Sequence, residues 1–472
     1  MDSVYRLFTD YTGESVLNIS ELPASGSNRR YFRVEGEKTT LIAAVGKSIE
    51  ENQAFWNINK HFASKGINVP AVFAHSQDFS VYLQEDLGDD TLFGRVSHGR
   101  DNGGNYSPEE KQLIIRTIRE LPKIQFLGAQ DFDFSQCFPQ PAFDAQTIQF
   151  DQNYFKYCFL KATGVEFNEV ALERDFKSMS AILMQSMSDT FMYRDFQGRN
   201  VMIKDGKLWF VDFQGGRKGP IYYDVASFIW QAKAAYPEDF KQELIDNYLD
   251  ALQTYLSISS DAFREALRHY VLFRTLQVLG AYGFRGYFEK KPHFLQSIPF
   301  AMANLRKLLQ PPFNEYPYLS GLLDELTHMK QFDTVSMEKP LEVDIYSFAF
   351  DKGIPADNHG NGGGYVFDCR AIDNPGKYEH YQRFSGLDHE VADYFSKVGD
   401  LPNYLGDIFD IVDSHVKNYM DRKFTHMMIS FGCTDGKLRS VYCAERLAAH
   451  ISNRFNISVH MVHRELGVEK QI

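Results

Sequence analysis

The sequence has little cysteine and no long apolar run, and each absence excludes a class of protein. Its 472 residues include five scattered cysteines, without the paired spacing of a metal site: Cys137, Cys158, Cys369, Cys433 and Cys443. Their odd number argues against a disulfide framework and indicates a reducing compartment. The first residues form neither a basic nor an apolar segment, and no later stretch is apolar for the length of a membrane span. We therefore expect a cytoplasmic protein without a membrane partner.

Positive charge is also in deficit. The 50 Lys and Arg residues are outnumbered by 62 Asp and Glu, which gives a formal net charge of −12. This argues against a nonspecific binder of nucleic acid or of an anionic membrane, although a local basic site is compatible with it. Hydrophobic residues make up 44% of the chain, as in globular proteins, and its length predicts two or three domains.

Three polar residues occur in a characteristic order near the middle of the chain. Asn200 follows Asp195 by five positions, and Asp212 follows Asp195 by seventeen. Phosphoryl transfer requires a carboxylate that accepts the proton of an attacking hydroxyl, then an amide and a second carboxylate that bind Mg²⁺. The order of residues in the sequence matches the order of these parts.

The segments around the three residues have the required shape. A helical stretch leads to Asp195, and a predicted hairpin with strands at 201–203 and 208–211 separates Asn200 from Asp212. A D-x-x-x-x-N pattern alone is common in loops and helix caps. Together with the hairpin and the following aspartate, it indicates a kinase-type site.

The rest of the chain divides into two lobes and a further domain. From residue 19 to 45 the pattern predicts a strand, a loop and two further strands at 31–34 and 39–45. A helix at 49–65, a strand at 81–83 and a hinge at 84–88 follow. Helical patterns dominate from about residue 107, and alternating strands and helices resume after a polar linker near 331–340. The predicted domains are a nucleotide-binding lobe at 1–88, a catalytic and substrate-binding lobe at 89–330, and a separate α/β domain at 341–472.

The loop between the first two strands is a candidate phosphate cradle. Its small residues would let backbone amides approach phosphate groups closely, and two arginines could add charge. These candidates are Ser25, Gly26, Ser27, Arg29 and Arg30. A plain hairpin remains the alternative, because a Ser/Gly turn alone is a weak signal.

Together these segments resemble the aminoglycoside-phosphotransferase-like kinases, and within them the cell-wall-recycling kinases that phosphorylate the anomeric hydroxyl of N-acetylmuramate and N-acetylglucosamine. The matching segments are residues 27–33, 84–89, 193–200, 211–214, 219–220 and 223–224. The resemblance covers about residues 1–330 and implies an α+β bilobal protein-kinase-like fold, ATP and Mg²⁺ as cofactors, and an amino sugar as acceptor. It assigns Asp195 as catalytic base and Asn200 and Asp212 as metal ligands. It also implies that hinge residues Glu85 and Leu87 offer backbone groups to adenine.

The chain departs from this family at two positions. Tyr193 stands where most relatives have His, and we expect it to pack the catalytic loop. The strand at 39–45 lacks the lysine that grips the α- and β-phosphates in protein kinases. Lys47 is the nearest candidate, with Glu50 or Glu51 as its partner, and a solvated lysine is the alternative. We further expect Asp224 to order the catalytic loop or to cap a helix.

A second motif lies in the separate domain. Residues 431–440 run from a buried strand through a tight loop into a helix, a geometry that aims backbone N–H groups at an anion. This domain resembles the C-terminal domain of the RNase adapter protein RapZ at 367–370, 374–375, 385–388, 432–434, 439–440 and 463–464. The resemblance implies a site for a sugar phosphate such as glucosamine-6-phosphate, formed by Cys433, Thr434, Gly436, Arg439 and Ser440. We do not expect RNA binding, because 14 basic residues face 19 acidic ones in this domain.

Two alternatives remain open on the sequence. Cys433 and Arg439 satisfy the C-x₅-R-S spacing of cysteine phosphatases, although Gly432 stands where such enzymes usually have His. The missing strand lysine is also compatible with a regulatory sugar-phosphate sensor whose kinase-like half is inactive. The identity of the sugar, the hydroxyl attacked and the oligomeric state are left undetermined.

Overall fold

The chain divides into two compact units, Met1–Thr334 and Val335–Ile472. The computed structural model describes residues 1–22, 29–186, 188–332, 341–357, 359, 362–397, 401–421, 424–455 and 457–472. Each unit has its own hydrophobic core. None of the helices described there combines the length and apolar character that a membrane crossing needs.

The first lobe is an antiparallel sheet with two helices. Its strands are β1 (Asn18–Glu21), β2 (Arg30–Glu35), β3 (Thr40–Val45), β4 (Val72–His75) and β5 (Val81–Glu85), in the order β1-β2-β3-β5-β4. The helices are α1 (Asp2–Thr12) and α2 (Ile49–Ser64). Ser48 caps α2 by accepting a hydrogen bond from the backbone N–H of Glu51. The predicted strands and the predicted helix of this lobe are therefore confirmed.

Helix α1 was not predicted from the sequence. Its residues Val4 and Phe8 are fully buried and pack with Val34 and Leu83 in a small core on one face of the sheet. The helix ends at Gly13, which adopts a left-handed conformation with φ 73°. Because α1 covers a sheet face that would otherwise expose apolar side chains, it belongs to the lobe's core.

The second lobe is mainly helical. Its helices are α3 (Leu92–Arg95), α4 (Ser97–Asp101), α5 (Pro108–Leu127), α6 (Ala145–Cys158), α7 (Glu169–Gln185), α8 (Tyr222–Ile229), α9 (Glu238–Leu252), α10 (Ser260–Gly283), α11 (Pro292–Leu295), α12 (Ile298–Leu308) and α13 (Pro317–Thr327). Helix α10 lies at the centre and packs closely against α6, since a Cβ at Gly283 would lie 2.2 Å from the carbonyl oxygen of Cys158. Only glycine permits this approach.

Two antiparallel sheets of two strands each flank the segments that contain Asp195 and Asp212. Strand β6 (Thr190–Met192) pairs with β9 (Arg217–Gly219), and β7 (Val201–Lys204) pairs with β8 (Lys207–Phe210). The β7–β8 turn has positive φ at Asp205 and Gly206, as a two-residue Asp-Gly turn requires. The predicted catalytic hairpin is confirmed, whereas β6 and β9, with three residues each, were not predicted.

The second unit is an α/β domain. Its strands are β10 (Glu342–Ala349), β11 (Tyr365–Asp368), β12 (His426–Cys433), β13 (Val459–His463) and β14 (Val468–Gln471), in the order β11-β12-β10-β13-β14. All neighbouring strands are parallel except β14, which pairs antiparallel with β13. The helices are α14 (His389–Lys397), α15 (Leu401–Asp421) and α16 (Arg439–Phe455). A separate α/β domain is confirmed, and β14 is an addition to the prediction.

The packing of α1 can be tested by shortening Phe8, which is 0% exposed. Phe8→Ala should lower the free energy of unfolding of the first lobe by about 3–5 kcal/mol, because it leaves a cavity between helix and sheet. Chemical denaturation combined with amide hydrogen exchange of β2 and β5 measures this. The control is Tyr5→Ala on the same helix, where the side chain is 46% exposed and the expected change is below about 0.5 kcal/mol. Equal effects of the two substitutions would contradict the described packing.

Candidate active site

The structure brings Asp195, Asn200 and Asp212 together. Asp195 lies in the loop that follows β6. The residue before it, Arg194, has a positive φ of 77°. The Asn200 side-chain amide donates to the backbone oxygen of Asp195 at 2.8 Å and to Asp212 Oδ2 at 3.2 Å. One buried amide therefore joins the catalytic loop to the segment after the hairpin. Asp195 itself is open to solvent, with 46% of its side chain exposed.

Asp212 lies in a half-buried and strained position. Its φ is 67°, a left-handed conformation that is uncommon outside glycine and that occurs at functional sites. Burial and the nearby Asp195 carboxylate raise the pKa of Asp212, while a hydrogen bond from Gln214 and the charges of Arg199 and Arg29 oppose this rise. The Gln214 amide donates to Asp212 Oδ1 at 2.7 Å. A bound cation would relieve the same electrostatic cost.

Tyr193 packs the catalytic loop, as expected. It is 1% exposed, its ring contacts Phe196 and Phe213, and its hydroxyl donates to the backbone oxygen of Val211 at 2.5 Å. This bond connects the residue two positions before Asp195 with the residue before Asp212. Tyr193 therefore holds the two acidic segments in register and takes no chemical role.

Asp224 also orders the loop that contains Asp195. This fully buried carboxylate, in the first turn of α8, accepts hydrogen bonds from the backbone N–H groups of Tyr193 at 2.7 Å and Arg194 at 2.9 Å. Burial raises the pKa of Asp224 to about 7, and the two backbone donors partly offset the effect. Of the two structural roles considered for Asp224, the geometry favours loop ordering.

The donor groups at this site suit Mg²⁺. Asp212 and Asn200 offer carboxylate and amide oxygens, the hard ligands that Mg²⁺ prefers. Within the described ranges, no group of three or more His, Cys, Asp or Glu side chains forms a ready-made metal site. Two protein ligands are sufficient where substrate phosphates and water complete an octahedral shell.

The structure places the residues predicted to contact the nucleotide in different environments. Ser25, Gly26 and Ser27 lie outside the described residues. Arg30 is exposed and forms an ion pair with Glu21 of β1, with Nη2–Oε2 at 2.7 Å. Its guanidinium is therefore engaged at the sheet edge in this structure, and a phosphate contact by Arg30 stays a prediction.

The hinge follows β5, where predicted. Leu87 is buried, and the Glu85 side chain accepts a bond from Lys204 Nζ at 2.7 Å. Lys204 also donates to the backbone oxygen of Asp86 at 3.0 Å, so the hinge is attached to strand β7 of the second lobe. Arg33 contacts Asp86 and Asp89 and holds the segment from the sheet side.

The predicted ion pair of Lys47 is replaced by another. Lys47 is exposed, whereas Glu51 pairs with Arg29, with Nη2–Oε1 at 3.4 Å. Arg29 is 4% exposed and also donates from Nε to Asn52 Oδ1 at 3.1 Å. A buried arginine immediately before β2 thus pairs with Glu51, one of the two glutamates considered as partners of Lys47.

A cavity beside Asp195 was not identified from the sequence. It has a volume of about 340 Å³, and its walls include Trp230, Tyr282, Arg199, Lys233 and Arg274. None of the described residues that line it is acidic. Arg274 Nη2 lies 3.7 Å from Asp195 Oδ1, and its guanidinium is held by Ser227 Oγ at 3.2 Å. The one feature of the sequence that could have indicated this cavity is Arg274, which interrupts an otherwise apolar face of α10.

The five residues predicted for the second domain lie close together in the chain, from the last residue of β12 through the following loop to the first turn of α16. Arg439 Nη2 donates to Thr434 Oγ1 at 3.0 Å, and Nη1 donates to the backbone oxygens of Arg370 and Ile372. Gly436 has φ 68° and packs so tightly on the end of β10 that a Cβ would lie 2.8 Å from Ala349 N. Of the five, Thr434 is exposed, and Cys433 and Ser440 are fully buried.

The surroundings of Cys433 do not suit a phosphatase nucleophile. Its sulfur is enclosed, contacts Ser440 Oγ at 3.1 Å, and lies 3.3 Å from the Asp435 carboxylate. An attacking thiolate needs access and positive surroundings. Both terminal nitrogens of Arg439 bond to oxygens of the chain in this structure, and a phosphate contact by Arg439 stays a prediction.

Comparison with known proteins gives two family matches. Residues 18–263 match the phosphotransferase enzyme family, and residues 341–467 match the RapZ C-terminal domain. These matches confirm a kinase-like phosphotransferase fold followed by a separate RapZ-type domain.

Individual relatives either match a short part of the chain or have low sequence identity to it. Nucleotide-binding proteins of Bacillus thuringiensis (strain Al Hakam) and Bacillus mycoides (strain KBAB4) are 32% identical over 149 residues, which cover 32% of this chain and 47% of each relative. The chain thus spans about half the length of these curated relatives. Choline kinase LicA from Streptococcus pneumoniae is 12% identical with a TM-score of 0.44, covering 62% of this chain and 94% of that one. ADP-bound aminoglycoside phosphotransferase APH(2'')-Ib is 15% identical with a TM-score of 0.43, covering 66% and 97%.

The buried position of Asp224 predicts a pH effect on stability. The unfolded carboxyl ionises near pH 4, whereas the folded one has a pKa of about 7, so the folded state holds an extra proton between these values. Stability from this group therefore falls as the pH rises through that interval. Relative to Asp224→Asn, the native chain should lose up to about 4 kcal/mol between about pH 4 and 7. Chemical denaturation at stepped pH measures the difference, and a constant difference would contradict the prediction.

Proposed function

The chain belongs to the phosphotransferase enzyme family, and on that premise we propose that it transfers the γ-phosphate of ATP to a hydroxyl group of an amino sugar. The observation that carries the proposal is the hydrogen-bonded convergence of Asp195, Asn200 and Asp212 beside a cavity of small-molecule size. This is the arrangement of base and metal ligands that kinase chemistry uses.

Each residue of this group has a role that its environment supports. Asp195, half-exposed beside the cavity, accepts the proton of the attacking hydroxyl. Arg274, 3.7 Å away, orients that carboxylate. Asp212 and Asn200 would hold Mg²⁺, which when bound neutralises charge on the phosphates. The protein contributes mainly positioning and a fixed electrostatic environment, because little covalent chemistry is required of it.

The charge of the cavity supports a neutral or anionic acceptor. Three cations, Arg199, Lys233 and Arg274, line it, and no carboxylate appears among its described lining residues. A polycationic aminoglycoside or a quaternary ammonium acceptor would be repelled by such walls. An N-acetylated amino sugar has no ammonium group, and a carboxylate on the sugar would be attracted.

The resemblance to the anomeric kinases of cell-wall recycling extends the proposal. It favours the anomeric hydroxyl of N-acetylglucosamine or N-acetylmuramate as the group phosphorylated, and a cytoplasmic location where ATP is available. The hinge at Glu85–Leu87 would contact adenine through its backbone.

The second domain extends the proposal to a regulatory ligand. Its match to the RapZ C-terminal domain and the loop around Thr434 support a sugar-phosphate site of the glucosamine-6-phosphate type. A phosphorylated sugar bound there could report the supply of amino sugars to the kinase half. The acidic surface of the domain gives no support to RNA as a partner.

An acceptor panel tests the kinase proposal. With ATP and Mg²⁺, N-acetylglucosamine and N-acetylmuramate should yield a sugar phosphate, whereas kanamycin and choline should not, because the cavity is cationic. The ³¹P NMR spectrum locates the new phosphate. Asp195→Asn should lower kcat by about 10²- to 10⁴-fold with ATP affinity retained.

Three outcomes would count against it. Turnover of kanamycin alone would move the function to antibiotic modification. ATP binding without turnover of any sugar would favour the regulatory sensor. An Asp195→Asn variant with native kcat would remove the proposed base.

The sugar-phosphate proposal is tested by thermal unfolding of the full chain. Glucosamine-6-phosphate should raise the unfolding midpoint of the second unit, because a ligand that binds only the folded state stabilises it. Glucosamine without phosphate should have little effect. Thr434→Val should weaken the shift, whereas the exposed substitution Glu390→Gln on α14 should not. An equal shift from both sugars would contradict a phosphate site, and an unchanged kinase rate would contradict the coupling.

A further inference from the structure

Strand β3 cannot supply the cation that ATP phosphates require. Its sequence from Thr40 to Val45 contains no basic residue, and Ala43 and Ala44 are fully buried within it. In kinases a strand lysine, held by a helix glutamate, contacts the α- and β-phosphates and is needed for transfer. A chain that performs this reaction must place another cation near the same glutamate.

Arg29 is the cation that the structure places there. It lies immediately before β2, next to β3 in the sheet, and 2% of its side chain is exposed. Its Nη2 lies 3.4 Å from Glu51 Oε1 in the first turn of α2. The helix glutamate of a kinase ion pair is therefore present, with arginine as its partner.

Asn52 fixes the arginine in this position. Its Oδ1 accepts from Arg29 Nε at 3.1 Å, while its Nδ2 donates to the backbone oxygens of Gly46 and Phe79 at 3.2 and 2.8 Å. Gly46 is required for this packing, because a Cβ there would lie 2.7 Å from Asn52 Oδ1 and 3.2 Å from Arg29 Cγ. So many contacts hold the guanidinium in one orientation and reduce the entropy lost on binding a ligand.

The arginine is also linked to the metal-binding segment. Its guanidinium carbon lies 5.9 Å from the centre of the Phe55 ring, which stacks on Phe213 with a centroid distance of 5.0 Å. Phe213 directly follows Asp212 in the chain, so this stack of side chains connects Arg29 with the segment that contains Asp212.

We propose that Arg29, positioned by Glu51 and Asn52, takes the place of the strand lysine and contacts the α- and β-phosphates of ATP. The inference rests on the proposed kinase function and deepens it. Glu51 and Asn52 are positioning residues, because they act through Arg29. The planar guanidinium can bind two phosphate oxygens at once, which an ammonium cannot do in the same geometry.

Nucleotide binding by the full chain tests this assignment. Isothermal titration with Mg-ATP, Mg-ADP and adenosine separates phosphate contacts from adenine contacts. Arg29→Ala should weaken ATP and ADP binding by about 10- to 100-fold, the effect of one lost charged hydrogen-bonding partner, and leave adenosine binding unchanged. Arg29→Lys should restore part of the loss. Glu51→Gln, at a half-buried position, should weaken ATP several-fold without changing adenosine.

Two further variants serve as comparisons for the Arg29 and Glu51 substitutions. Lys47→Ala tests the rival cation, and Lys38→Ala removes an exposed charge from the same lobe as a control. Loss of phosphate-dependent affinity in Lys47→Ala, but not in Arg29→Lys or Glu51→Gln, would overturn the assignment. Equal weakening of ATP and adenosine by the Arg29 variants would also overturn it, since that indicates a structural role.

Failure of this inference is distinguishable from failure of the kinase proposal. If the native chain binds no Mg-ATP and phosphorylates no acceptor, the kinase proposal fails. If the native chain binds Mg-ATP and the Arg29 and Glu51 variants bind it equally well, only the assignment of Arg29 fails. Should Arg29→Ala not fold, Arg29→Lys and Glu51→Gln decide the question through the same ratio of ATP to adenosine affinity.

Discussion

The Asn200 side chain is the contact on which the site depends. By donating to both the Asp195 backbone and the Asp212 carboxylate, its amide joins two segments that leave different strands. Both segments contain a residue at positive φ, Arg194 and Asp212, a conformation that costs energy for side chains of this type. The buried Asp224 carboxylate and the Tyr193 hydroxyl hold the strained backbone in place. The surrounding helices therefore stabilise a geometry that the local sequence alone would not adopt.

Electrostatic balance is the second constraint on this unit. Three carboxylates, Asp195, Asp212 and Asp224, lie close together, and burial raises the pKa of the latter two. The chain as a whole is acidic, yet three arginines lie near this group. Arg199 belongs to the same loop as Asp195, whereas Arg29 and Arg274 come from distant parts of the sequence. Such an arrangement suits a site that receives a polyanionic nucleotide with its metal ion.

In the proposed function, the second unit binds its anion in a different way. A tight loop follows β12 of its parallel sheet. The Arg439 side chain stabilises this loop by donating hydrogen bonds to Thr434 and to the backbone oxygens of Arg370 and Ile372. A rigid loop with an exposed Thr434 is suited to binding, whereas a nucleophile would need the open thiol that this unit encloses. The two units thus divide catalysis from recognition in the proposed function.

Local patterns were enough to predict much of this protein. Short-range periodicity and turn residues predict the hairpin between Asn200 and Asp212, the strands of the first lobe other than β4, helix α2, and the alternation of the second unit. Helix α1 and strand β14 were missed, because their short, mixed sequences are stabilised by a neighbouring sheet. The Arg29–Glu51 pair and the position of Arg274 beside Asp195 join residues far apart in the chain, so no spacing rule reports them. The sequence determined, through residue types and their local order, which chemical groups are available. Only the tertiary packing decided which cation pairs with which carboxylate, because the partner of a long side chain depends on which groups the fold places near it and how deeply they are buried.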